Sequence, residues 1–186
     1  MPPNSDARRR LIDHLRTFSV RTDGPFTLRS GAVSDWYIDA RQTTFDGPGA
    51  AAVGDAVLDI LDPGVAAIGG MTIGADPIAV ATVVRGAGAG RHLRAFSIRK
   101  EEKGHGVGGR LVGPVSAGDR VAMVDDTVTT GGALIESIEV ANQAGLVVVQ
   151  VLAIVDRSGG VVAERLRDFD LGFAALVDVA ELGVSG

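Results

Sequence analysis

The sequence predicts a doubly wound α/β domain, and three observations carry that expectation. Segments such as Arg120–Val124 and Val147–Val155 are apolar almost throughout, without the alternation of a strand that wets one face, so both their faces must be covered. Helical segments separate them, the order that gives parallel neighbours joined by crossovers. Apolar residues make up 46% of the 186 and aromatics only 4%, so the core is aliphatic. No linker or internal repeat divides the chain, and a single domain over residues 1–186 is expected.

The elements follow in order. Residues 5–19 read as an amphipathic helix that Ser5 can cap, with Leu11, Ile12, Leu15 and Phe18 on one face. Its Arg8-Arg9-Arg10 run reads as the solvated side. Short extended pieces are expected at Phe26–Arg29 and Trp36–Ala40, around the turn at Ser30-Gly31. A helix over Ala50–Leu61 ends at Asp62-Pro63-Gly64. Strands then alternate with helices: Val65–Ile68, helix Pro77–Val84, Leu93–Ile98, Arg120–Val124, helix Gly132–Ala144, Val147–Val155, helix Val161–Arg167, and Leu171–Val177. In such sheets ligands bind beyond the C-terminal ends of the strands.

Composition narrows the function. A formal charge of −5 argues against a nucleic-acid partner. The chain has no cysteine, which rules out disulfides, thiolate metal sites and cysteine nucleophiles and fits a reducing cytoplasm. The apolar stretch Leu146–Val155 is too short to span a bilayer.

The informative segment is Arg120-Val-Ala-Met-Val-Asp-Asp-Thr-Val-Thr-Thr-Gly-Gly-Ala133. An apolar strand leads into two carboxylates, Asp125 and Asp126. A Thr/Gly-rich turn and a helix follow, and a helix start of this kind offers backbone N–H groups and a dipole to an anion. A phosphate monoester suits the turn, and hydroxyls of an attached sugar suit the acids, so a ribose 5-phosphate is the expected ligand. No Gly-Lys-Ser/Thr is present, which excludes a Walker-type triphosphatase. A second segment, Arg99–Gly109, concentrates Arg99, Lys100, Lys103 and His105 among glycines. It exceeds the usual connection of about 4–6 residues. A mobile cationic loop of this kind can close over a site and neutralise a polyanionic leaving group. By itself the segment reads equally as a solvated hairpin tip. Its Gly104-x-Gly106-x-x-Gly109 spacing is no dinucleotide fingerprint, because Arg110–Val112 after it reads as extended.

The first of these segments resembles the phosphoribosyl pyrophosphate motif of type I phosphoribosyltransferases. The resemblance implies that Asp125 and Asp126 hold the ribose hydroxyls, and that Thr127, Val128, Thr129, Thr130, Gly131, Gly132 and Ala133 form the 5-phosphate loop. The second is similar to the catalytic loop of the orotate phosphoribosyltransferases: Arg99, Lys100, two spacers, Lys103, one spacer, His105-Gly106. In that family the loop reaches a neighbouring subunit's site, which implies a homodimer with shared active sites, a small N-terminal hood and Mg²⁺ on the substrate. Arg99, Lys100 and Lys103 would hold pyrophosphate while His105 assists.

Base selection rests on Phe26–Gly31 and Ser34–Asp39, which resemble the family's N-terminal pattern, and on Val155-Asp156-Arg157. They implicate Arg29, Trp36, Tyr37 and Arg157; Arg157 offers a planar fork for a carboxylate or pyrimidine carbonyls, and Thr129 also touches the base. Trp36 reads either as a stacking face for the base or as a cover over the sheet. Two departures stand out: Arg29 where the family has lysine, and Gly74 where many members carry a second lysine. The resemblance implies transfer of ribose 5-phosphate from phosphoribosyl pyrophosphate to N1 of orotate. The rival readings are transfer to another base and a non-catalytic sensor of phosphoribosyl pyrophosphate.

Overall fold

The computed structural model describes residues 5–27, 31, 33–102 and 109–184. Helix α1 (Asp6–His14) opens the fold, capped by Ser5, whose Oγ accepts from the Arg8 N–H. Two two-stranded antiparallel ribbons follow: β1 (Val20–Arg21) with β4 (Tyr37–Ile38), and β2 (Phe26–Thr27) with β3 (Val33–Ser34). These make the small hood. Helices α2 (Arg41–Thr44) and α3 (Gly47–Leu58) lead into the main sheet.

That sheet holds β5 (Ala67–Met71), β6 (Arg94–Ile98), β7 (Leu111–Val112), β8 (Arg120–Val128), β9 (Val147–Asp156) and β10 (Phe173–Asp178). Its order is β10-β9-β8-β5-β6-β7, parallel except for β7. Helix α4 (Ala75–Gly88) joins β5 to β6, α5 (Gly132–Gln143) joins β8 to β9, and α6 (Val161–Leu166) precedes β10.

Successive residues of one strand serve two cores, as the period-two rule requires. Ala122 and Val124 pack with α1, α3 and α4 residues such as Leu11, Val53 and Ile78. Val121 and Met123 pack with Leu134, Ile138 and Val162 from α5 and α6. Both faces are covered, as the apolar strands require. Among the described residues, no helix is long and apolar enough to cross a membrane.

Several local expectations need correction. The first helix is α-helical only to His14; Leu15–Ser19 forms a π turn. Its wider winding rotates later residues off the buried stripe, and Phe18 is 57% exposed while Leu11 and Leu15 are buried. Arg8 is not solvated: it is buried, with Nε donating to Leu176 O at 2.7 Å and Nη2 to the Glu181 carboxylate at 2.7 Å. Helix α3 starts earlier than expected because Asp46 caps it, accepting from the Gly49 N–H, with Pro48 in its first turn. Most consequential for the site, β8 continues to Val128, since parallel pairing to β9 runs through Asp125↔Ala153 and Thr127↔Val155. Backbone pairing is indifferent to side-chain charge, so the acid pair lies on the strand itself.

Candidate active site

The chain reverses direction across the sheet at β5: β6 lies on one side of it and β8 on the other. A crevice opens beyond the C-terminal ends of strands at such a switch point. Here the cleft occupies about 660 Å³, walled by Thr27 and Tyr37 of the hood, Asp125, the stretch Thr127–Ala133, and Arg157. The two sequence motifs that flank β8 and β9 therefore meet the hood in one place.

The turn after β8 is shaped by Gly131. Its φ is +72°, and a Cβ there would stand 2.9 Å from Val162 Cγ2; both the conformation and the space exclude a side chain. The Arg165 guanidinium donates to the Thr130 carbonyl and ties the turn to α6. Helix α5 then begins at Gly132 with no side-chain cap, so its first N–H groups are open to an anion. Thr127 Oγ1 is buried and finds no hydrogen-bond partner among the described residues.

The acid pair is crowded. Asp125 Oδ1 accepts from the Asp126 N–H at 3.0 Å and Asp126 Oδ1 from the Thr127 N–H at 2.7 Å. Burial, then the neighbouring Asp126 charge, pushes the Asp125 carboxyl up to about 7. Burial also raises Asp126, against the opposing pull of the Thr127 N–H and the Arg41 charge. Gly74 abuts both: a Cβ there would lie 2.9 Å from Asp126 Oδ1 and 3.0 Å from Asp125 Oδ1. The glycine that departs from the family's lysine thus lets the β5–α4 loop close on the acids, and any side chain would displace them.

Arg41 was not singled out from the sequence. Its Nε donates to Asp39 Oδ1 at 2.7 Å, and its positive charge acts on Asp126. The signal was the Asp39-Ala-Arg41 run, one residue after the aromatic pair, where a cation two residues from an acid can pair with it across a turn.

The remaining expected residues divide into three groups. Tyr37 lines the cleft, 5.8 Å from the Phe26 ring. Trp36 turns one ring face to Arg157, whose guanidinium carbon sits 4.4 Å from the ring centroid. Arg99 and Lys100 stand at the end of β6, across β5 from the acids; the Arg99 N–H donates to Arg110 O at 2.8 Å, and Lys100 is exposed. They are not among the residues that wall the cleft. Arg29, Lys103 and His105 lie outside the described residues.

Comparison with known proteins adds an independent line. No family model matches the chain. The orotate phosphoribosyltransferase of Streptomyces coelicolor is 41% identical over 165 residues, 88% of this chain and 90% of that protein. The crystal structure of Mycobacterium tuberculosis H37Rv orotate phosphoribosyltransferase with Fe(III) dicitrate superposes with a TM-score of 0.82 at 33% identity, covering 96% of this chain and 99% of that one. The same Mycobacterium tuberculosis enzyme in complex with 5-phospho-α-D-ribosyl 1-diphosphate matches with a TM-score of 0.78 at 29% identity, over 96% and 99% of the two chains.

Proposed function

The chain belongs to the orotate phosphoribosyltransferase family, and from that premise we propose how its residues divide the transfer of ribose 5-phosphate from phosphoribosyl pyrophosphate to N1 of orotate. The observation that carries the reading is the shared cleft, in which half-buried Asp125, with Asp126 next to it in the chain, an anion-ready helix start and a planar cation come together. The 5-phosphate is held by residues 127–133 and the open N–H groups of α5. Asp125 and Asp126 accept hydrogen bonds from the ribose hydroxyls and stabilise positive charge as it develops on the ring. Arg157 binds the carboxylate or a carbonyl of the pyrimidine, and Tyr37 offers a face to its ring. Lys103, with Arg99, Lys100 and His105, neutralises the departing pyrophosphate. No covalent nucleophile is required, since positioning and charge stabilisation lower the barrier.

The crowded negative charge of Asp125 and Asp126 suits a divalent cation brought in on the substrate's own oxygens, and these two carboxylates are the protein groups that would face it. Mg²⁺ keeps most of its shell as water and substrate oxygen, and when bound it supplies neutralisation of the pyrophosphate.

A homodimer fits an apolar groove between α3 and α4, lined by Phe45, Ala50, Ala51, Pro77, Val80 and Val84. Phe45 is 60%, Val80 56% and Val84 64% exposed. A contiguous apolar patch of this kind suits a self-complementary contact between two copies. The acidic, cysteine-free composition suits the cytoplasm.

The direct test is loss of orotate absorbance on mixing the protein with phosphoribosyl pyrophosphate and Mg²⁺, with adenine, hypoxanthine and uracil in parallel. Consumption of orotate alone is expected. Turnover of a different base would overturn the base assignment, and tight substrate binding with no turnover of any base would favour the sensor.

A pH effect also follows from the acid pair. An Asp125 that titrates at about 7 in the free protein is ionised when it accepts ribose hydroxyls, so binding releases its proton. Through this group, affinity for phosphoribosyl pyrophosphate falls about tenfold from pH 8 to pH 6. Calorimetry in buffers of different protonation enthalpy should show more proton release for the wild type than for Asp125→Asn. Equal release by the two proteins would sink the assignment.

A further inference from the structure

The indole of Trp36 meets Arg157 face-on. Ser34 fixes the backbone there: its Oγ donates to Trp36 O at 2.8 Å and accepts from the Trp36 N–H at 3.4 Å. The ring packs against the core beneath the hood and presents a face to the Arg157 guanidinium at 4.4 Å. Tyr37 and Arg157 wall the cleft, and Trp36 is not among the residues that do. The main chain of Arg157 is fixed as well, its N–H donating to Val128 O at 2.9 Å.

The guanidinium itself is poorly compensated. Its Nε is buried with no hydrogen-bond partner among the described residues. Burial lowers its pKa from the usual guanidinium value, with only the Tyr37 oxygen pulling the other way. A cation so placed has the ring quadrupole on one side and an unmet demand for an anion on the other.

We propose that Trp36 is a positioning residue for base selection, stacking on Arg157 so that its fork faces the cleft, desolvated and flat, and prefers a pyrimidine that carries a carboxylate. This rests on the reading of Arg157 as the base-binding cation. Stacking removes rotamers that the fork would otherwise lose only on binding. A desolvated cation also rejects a neutral base, because pairing with it leaves the charge unmet.

The test is a double-mutant cycle on Trp36→Leu and Arg157→Ala, read as KM for orotate, KM for phosphoribosyl pyrophosphate, kcat and discrimination against uracil. Trp36→Leu should raise the orotate KM about tenfold, leave kcat and the other KM within about twofold, and narrow discrimination against uracil. Trp36→Phe, which retains an aromatic face, should recover most of the loss. In the Arg157→Ala background, Trp36→Leu should have no further effect. Equal, additive losses in both backgrounds, or an unchanged orotate KM in a folded Trp36→Leu protein, would overturn the proposal while leaving Arg157 in place. An unchanged orotate KM in Arg157→Ala alone would instead overturn the underlying reading of Arg157. The chain has a single tryptophan, so the wild type gives a check that needs no Trp36 variant to fold. Orotidine 5′-phosphate should shift its emission in the wild type and not in Arg157→Lys; an identical shift in the two overturns the proposal.

Discussion

Replacing both site acids, Asp125→Asn with Asp126→Asn, should lower kcat/KM for phosphoribosyl pyrophosphate by about a thousandfold and at the same time raise the melting temperature. The activity loss follows from removing two anions that face developing positive charge. The stability gain follows from the same burial. Both carboxyls are raised above the ordinary carboxylate value, with desolvation as the first cause, so their ionised forms oppose folding. For an acid raised in the folded state, that opposition is absent below the unfolded pKa and grows as pH rises towards and through the folded value. The gain in melting temperature should therefore be clear at pH 8 and vanish near pH 4. Thermal melts across that range, beside steady-state rates, check both halves. A variant that loses activity and stability together would mark the acids as structural.

Mixing two dead proteins should restore activity. If the Arg99–Gly109 loop serves the partner's site, a dimer of one Asp125→Asn subunit and one Lys103→Ala subunit has one intact site, with the acids of one chain and the loop of the other. Random pairing then returns about a quarter of wild-type activity, since half of the dimers are hybrids with one working site each. Lys103→Ala alone should depress kcat far more than it weakens substrate binding, because its charge is needed when the bond breaks. Val84→Asp places a charge in the exposed groove between α3 and α4 and should abolish the restoration by keeping subunits apart, read by light scattering. No restoration from properly mixed dimers would mean that each loop serves its own chain.

Most of the architecture was legible because it depends on patterns that repeat. Of the apolar runs Arg120–Val124 and Val147–Val155, which were expected to be covered on both faces, Val121–Val124 and Val151–Val155 are buried while Arg120 and Val147 are exposed; the order of helices between them pointed to a parallel sheet. The Asp125–Ala133 segment was legible because strand, acids, turn and helix must be consecutive to form an anion site. What could not be read depended on partners far away in sequence. Arg8 looked like one of three solvated cations until Leu176 and Glu181 came to meet it. Trp36 could have served either the base or the sheet, and the approach of Arg157, 121 residues later, is what the sequence could not show. Gly74 looked like a lost lysine, and its meaning lies in two carboxylate oxygens on another strand. The π turn at Leu15–Ser19 has no signature in hydrophobic period, because one extra residue per turn leaves Leu11 and Leu15 buried and moves only Phe18.

The contact between Arg8 and Glu181 spans 173 positions, and it sets an order in time. During synthesis Arg8 of helix α1 is made 173 positions before the carboxylate that neutralises it. Until then docking α1 would bury a cation without its anion, an arrangement costly enough to keep the helix loose. The sheet between them can assemble first, strand by strand, and α1, although made before it, is the piece that locks it.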